Sequence, residues 1–243
     1  MTKPLPPPNP LTAPQFLSLG GGVQSITLAL LAAHNLISPL PQAAIFADTH
    51  WEPSYVYDQI EWLRPLLPFP IITVSAGSIR TELLENEDIT VPAFMAEGGI
   101  IRRQCTKDFK IRPILREVRT QLGMPWTGRP RKSDLAIMWL GISTDESRRQ
   151  KDSWVKFIQH RHPLLELNMS RTDCESWMNN QGYPVPRKSA CIGCPFHDDQ
   201  YWTNMKVYRP QEFKDAVYID KSLRESTRLL NEDAFLHRSC QPL

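Results

Sequence analysis

Four short apolar runs limit how this chain can fold more than any other feature. They are FLSL at 16–19, AAIFAD at 43–48, PIITVS at 70–75 and LAIMWLG at 135–141. Each is too short for an ordinary helix and reads as a strand, the first and the fourth as buried strands. Between the first three lie segments with apolar residues at helical spacing, about Val23 to His34 and SYVYDQIEWLRPLL from Ser54. Strand, helix, strand, helix, strand at this pace predicts an α/β, doubly wound, mostly parallel sheet with helices on both faces. A fifth strand is expected within WVKFIQHRHPLLEL, making a five-stranded sheet.

The rest of the chain is less regular. ITVPAFMAEGGIIRRQCT reads as a long loop and KDFKIRPILREVRTQLG as a helix. SRTDCESWMNNQG carries helix punctuation, with Ser170 as N-cap, Asp173 three residues on and Gly182 as the stop. Two more helical segments close the chain. Residues 1–14, rich in proline, read as a flexible arm, 15–182 as a nucleotide-binding domain, and 183–243 as a cysteine-bearing segment packed on the same domain.

With 243 residues the chain can bury a substantial core. No stretch approaches the roughly 20 apolar residues of a membrane helix, and the proline-rich start suits neither a signal nor a transit peptide. A soluble, cytoplasmic protein without a membrane partner is expected. Five cysteines, an odd number, point the same way, toward reduced thiols. A net charge of +2 selects no partner, but its distribution is uneven. Residues 102 to 119 hold seven Lys and Arg against Asp108 and Glu117, and RPRK follows at 129–132. This basic 102–132 region suits a polyanion such as tRNA or DNA, and equally a solvated helix flank.

Ser18, Gly20, Gly21, Gly22, Gln24 and Ser25 form the loop between the first strand and the first helix. Consecutive glycines can turn backbone amides toward an anion, and the helix N-terminus adds to that field. The loop lacks the lysine of a Walker motif, and a plain tight turn is the competing reading. Asp48 and Thr49 close the second strand, where a ribose hydroxyl or a magnesium-bound phosphate would sit. Gly141 closes the fourth, ahead of Asp145 and Glu146 beside Arg148 and Arg149, a group suited to Mg2+ or phosphate or to a charged surface turn. Cys191 and Cys194 make a C-x-x-C. Trp51, Trp62, Trp154, Trp177 and Trp202 read as core or half-buried packing, and Cys174 as core.

In order along residues 15–200 these motifs resemble those of the PP-loop ATP pyrophosphatases and the PAPS reductases. LGGGVQS is similar to the S-G-G-x-D-S loop, with Gln24 in place of its aspartate. FADTHWEPSYVYDQIEWL resembles the D-T-G segment, with His50 at the glycine. RRQCTKDFKIRPI is similar to C-C-x-x-x-K-x-x-P, with Thr106 at the second cysteine, GISTDESRRQ to G-x-R-x-x-E-S-x-x-R, and KSACIGCPF to the C-terminal C-x-x-C. The reductases' E-C-G-x-H tail is absent; this chain ends FLHRSCQPL.

The resemblance implies ATP, or adenylyl sulfate or PAPS, with Mg2+ on the glycine loop, and a [4Fe-4S] cluster on Cys105, Cys191 and Cys194. Zinc on those cysteines with His197 is the rival by ligand type. Cys105, Asp48 and Glu146 become the catalytic candidates, with Asp145, Gly141 and Arg149 on the nucleotide. The function implied is ATP-dependent sulfur chemistry on a nucleic acid, a tRNA base or a DNA phosphate, fed by a sulfur donor. Two alternatives stand beside it. One is an adenylyl-sulfate or PAPS reductase served by a thioredoxin-like reductant with Cys240 as nucleophile; the other is a non-catalytic subunit of a larger complex.

Overall fold

A computed structural model describes residues 12–85, 91–125, 127–131, 134–225 and 233–243. The proline-rich arm, as far as residue 11, and Lys132 of the basic run lie outside them. Five strands form the main sheet: β1 (Gln15–Leu19), β2 (Ala43–Asp48), β3 (Ile71–Ser75), β5 (Ala136–Trp139) and β6 (Ile158–Arg161). Their order is β3-β2-β1-β5-β6, and β1 runs parallel to β2 and β5, as β5 does to β6. All five expected strands are present.

The chain groups into two compact units that interleave in sequence. The first comprises the residues to 47, 55–74 and 114–189. Its sheet residues alternate between two cores, as a period of two requires. Leu17, Leu19, Ala44, Phe46, Ile137 and Trp139 join one core with α1 (Val23–Ala33), while Phe16, Ala43, Ile45, Ala136, Met138 and Ile158 join the other. Val118 of α4 (Arg112–Gln121) packs in that second core. α1 is buried nearly all round because α6 (Arg171–Asn180) covers it with Cys174 and Met178. Ser170 caps α6 in a reciprocal capping box with Asp173, and Gly182 follows at φ +75°. α2 (Ser54–Leu63) ends one turn sooner than its spacing implies, passing into a 3-10 turn at Arg64–Leu66 where Pro65 enters. The short α5 (Pro163–Glu166) follows β6.

The second unit comprises residues 48–54, 75–113 and 190–243. It holds α3 (Ile79–Glu85), β4 (Phe94–Met95), α7 (Asp199–Tyr208), α8 (Pro210–Glu225) and β7 (Ala234–Phe235), with β4 antiparallel to β7. Its core gathers Ile79, Phe109, Trp202, Ile219, Leu223 and Leu236. A fully buried carboxylate, Asp220, ties its elements together, accepting from Arg224 and from the Leu236 and Leu243 amides. The expected loop over 89–106 thus contains a small strand, and the segment after Cys105 opens as a π-helical turn, Thr106–Ile111, before α4. Trp51 and Trp202 are core residues, whereas Trp154 is 71% exposed and corrects its assignment to packing. Among the described residues no helix is long and apolar enough to cross a membrane.

Candidate active site

Two groups of functional residues emerge, one in each unit. In the first unit the glycine loop joins β1 to α1. Gly21 has φ +76°, and a Cβ there would stand 3.1 Å from Val56, so conformation and space both require glycine. Gln59 donates to the Gly21 carbonyl at 2.7 Å, and the Ser189 hydroxyl donates to the Gly20 carbonyl. Ser25 accepts from the Gly20 amide at 3.2 Å and donates to the Gly22 carbonyl at 3.1 Å, so its hydroxyl braces the loop from within. With the Gly20 amide spent on Ser25 and the loop carbonyls held from behind, the amides of Gly21 and Gly22 and the first amides of α1, which have no intrahelical acceptor, are the donors available to an anion. No acidic residue occupies the first turn of α1 to oppose one.

Gly141 meets this loop from β5. A Cβ at 141 would lie 3.0 Å from the Ser25 nitrogen and 3.1 Å from its Cα, so the residue acts by letting two backbones approach. Gln24 reaches the Ser143 hydroxyl at 3.5 Å. Asp145 and Glu146 are already engaged. Asp145 accepts from the Arg171 amide at 2.8 Å, a bond that holds its carboxyl below the ordinary aspartate range, and Glu146 pairs with Arg149 at 2.8 Å. Asp145 thereby ties a second 3-10 turn, Thr144–Arg149, to the start of α6, and the Glu146–Arg149 pair lies within that turn.

In the second unit Asp48 accepts from the His50 amide at 2.8 Å and pairs with its ring at 3.2 Å. His50 sits at φ +52°, which explains why glycine suits that position. The chain then turns Thr49, Trp51 and Glu52 inward. Glu52 is buried with its side chain wholly covered. Its Oε1 accepts from Lys110 Nζ at 2.9 Å, from Thr49 Oγ1 at 3.2 Å and from the Cys191 thiol at 3.4 Å. The Thr49 hydroxyl also touches Cys191 Sγ at 3.4 Å, which places Thr49 on a cysteine. Glu52 Oε2 and Thr106 Oγ1 are buried without a hydrogen-bond partner.

Cys191 touches this centre directly, and Cys105 and Cys194 interact electrostatically with Lys110. Burial pushes the Cys191 thiol up to about 12, the Glu52 carboxylate adds to the rise, and Lys110 opposes it. Burial raises Cys194 as well, against the Phe196 amide and Arg103. Burial works against the Lys110 ammonium, yet Glu52, Cys191 and Cys105 together outweigh it and hold its proton above the ordinary lysine range. The C-x-x-C loop is seated on Trp51. Ile192 donates its amide to the Trp51 carbonyl at 2.8 Å, and a Cβ at Gly193 would overlap the edge of the indole. Trp51 Nε1 in turn donates to Asp215 at 2.7 Å, and Arg80 holds the other oxygen of that carboxylate at 2.7 Å. Glu52 and Trp51 were not singled out from the sequence as site residues. The available signal was an acid beside a proline directly after a buried strand.

By ligand type this donor set suits a [4Fe-4S] cluster on Cys105, Cys191 and Cys194, or zinc on those thiols with His197. Among the described residues no three His, Cys, Asp or Glu side chains converge on one point. His197 Nε2 is engaged with the Cys191 carbonyl at 2.9 Å, its ring stacked on Tyr201. A [4Fe-4S] cluster takes its thiolates on separate irons. Two cations near the thiols, Lys110 and Arg103, would offset the charge of such an anionic group. Cys174 is fully buried in the first unit's core and burial pushes its thiol up to about 11. Cys240 donates to the Met95 carbonyl at 3.4 Å, while His237 and Arg238 fold back onto Asp199.

No protein-family model matches the chain, and no curated protein matches it. Among solved structures the chain is similar to a phosphoadenylyl-sulfate (PAPS) reductase from Candida auris, in a phosphate complex. The identity is 12%, with 72% of this chain and 76% of that one covered and a TM-score of 0.44. It is also similar to the U34-tRNA thiolase NcsA from Methanococcus maripaludis with its [4Fe-4S] cluster, at 13% identity, 86% and 71% coverage and a TM-score of 0.40. A PAPS reductase is thus among the structures similar to this chain, as its motifs lead one to expect.

Proposed function

We propose that the chain is an ATP-dependent enzyme of sulfur chemistry acting on a nucleic acid, either a tRNA base or a DNA phosphate. The observation that carries the reading is that Cys191 and Lys110 touch the buried Glu52 carboxylate, while Cys105 and Cys194 interact electrostatically with Lys110, and Arg103 does so with Cys194. A buried carboxylate with one unpartnered oxygen calls for a water, ion or ligand to satisfy it.

In this reading the loop from Gly20 to Ser25 receives the phosphates of ATP. Its amides, fixed from behind by Gln59 and Ser189, stabilise the charge that develops on departing pyrophosphate without having to reorganise. The acceptor oxygen is thereby adenylated and becomes a leaving group. A [4Fe-4S] cluster held by Cys105, Cys191 and Cys194 would supply sulfur in transferable form. Lys110 and Arg103 offset its negative charge, Thr49 reaches Cys191 through its hydroxyl, and Trp51 fixes the height of the loop that carries two of the three thiolates. The reductase alternative needs a mobile Cys240, whereas this thiol is tied to the Met95 backbone.

Iron and acid-labile sulfide are to be measured on protein purified without oxygen, alongside Cys191→Ser. The expected result is about four of each per chain, lost in the variant, with pyrophosphate released from ATP when nucleic acid is added. One zinc and no sulfide would overturn the reading.

A further inference from the structure

In the second unit an exposed aromatic ring stands beside the partly buried Cys194. Phe196 stands two residues after Cys194 and is 48% exposed, between Pro195 and His197, which are both buried. The loop is therefore anchored on both sides of a ring that it turns outward. His197 provides much of that anchoring, stacked on Tyr201 at 3.7 Å and edge-on to Trp202 at 5.0 Å. The Arg103 guanidinium lies 5.4 Å from the Phe196 ring centroid. Arg102, Arg103 and Lys107 are all exposed. In the same segment Lys110 and Arg112 are paired with Glu52 and Asp108, whereas these three have no carboxylate partner among the described residues.

An outward aromatic ring, a guanidinium over it and uncompensated cations in the adjoining segment are the parts from which single-stranded nucleic acid sites are built. Rings and guanidinium planes stack on bases, and cations take the phosphates. The ring's place two residues from Cys194 would bring a stacked base to the cysteines, and only an unpaired base can enter such a stack.

We propose that Phe196 and Arg103 form a stacking platform for one unpaired nucleobase of a polynucleotide, with Arg102 and Lys107 on its flanking phosphates. This rests on the nucleic-acid reading above and names how that substrate is held.

The test is fluorescence anisotropy of the whole chain with short labelled single-stranded RNA and DNA, and with abasic strands of the same length. The wild-type chain is expected to bind the base-bearing strand about tenfold more tightly than the abasic one. Phe196→Ala should bring the two together and Phe196→Trp should keep them apart. Arg102→Ala with Lys107→Ala should weaken both strands alike and flatten the salt dependence. Calorimetric titration with ATP separates a mononucleotide from a strand, and its affinity should be unchanged in Phe196→Ala. Unaltered strand binding by Phe196→Ala, equal losses on both strands, or loss of ATP with strand binding kept would each overturn the platform. Failure of the wild-type chain to bind any strand would overturn the nucleic-acid reading itself, and the platform with it.

Discussion

Two residues show how buried charge shapes this chain. Glu52 pairs with Lys110 in the interior, and removing one partner of such a pair strands the other. Glu52→Ala is expected to lower stability by about 3 kcal/mol, the low end for a broken buried pair because Lys110 is one-third exposed and can reach water. Urea unfolding checks this, and Glu52→Gln with Lys110→Met should recover most of the loss. His162, in the first unit, is 7% exposed, with its Nε2 buried and unpartnered. Burial first, and the neighbouring His160 second, hold its pKa below the ordinary histidine value, against Glu166 and Asp152. The unfolded chain takes up this proton as pH falls through about 6.5, while the folded chain resists it. Stability should therefore be complete above that value and decline below it. Urea midpoints at pH 5.5 and 7.5 should differ less in His162→Leu than in the wild-type chain.

At the scale of elements, the close approach of the chain after β5 to the start of α1 sets the shape of the loop proposed to receive ATP. Gly141→Ala would push a methyl group to 3.0 Å from the Ser25 amide nitrogen, so α1 must shift. The expected outcome is a marked loss of ATP affinity by calorimetry, with a stability cost of about 1–3 kcal/mol; unchanged ATP affinity would show that the loop does not bind the nucleotide. The five strands and α1 were legible because buried strands and a nearly all-buried helix leave apolar runs whose lengths and flanking glycines tell them apart. β4 and β7 were not, since a two-residue strand has no period and their pairing joins residues 94 and 235. The cysteines were legible through their spacing. The Glu52–Lys110 pair was not, because nothing local distinguishes a carboxylate that turns inward from one on a surface.

Across the whole molecule, neither unit is a continuous stretch. The chain leaves the first after residue 47, returns at 55, leaves again after 74 and finally after 189. All residues of the first unit thus precede Ala190, whereas the second needs chain from both sides of it. A 1–189 fragment should keep the sheet and its two cores but lose Trp202, Met205, Ala216, Ile219 and Leu223 from the second unit's core. Hydrogen exchange is expected to show protection in β1, β2, β5 and α1 of that fragment and none in 75–113. Protection retained in 75–113 would contradict the division.

The contact between Gly193 and Trp51 gives the protein an optical reporter. Indole emission is quenched by iron–sulfur chromophores and by nearby thiolates, and here the ring edge touches the backbone between two cysteines. The emission difference between the wild-type chain and Trp51→Phe isolates that one ring from the other six tryptophans. Loading or emptying of the cysteine centre would then register as a change in brightness, read in seconds and without a substrate.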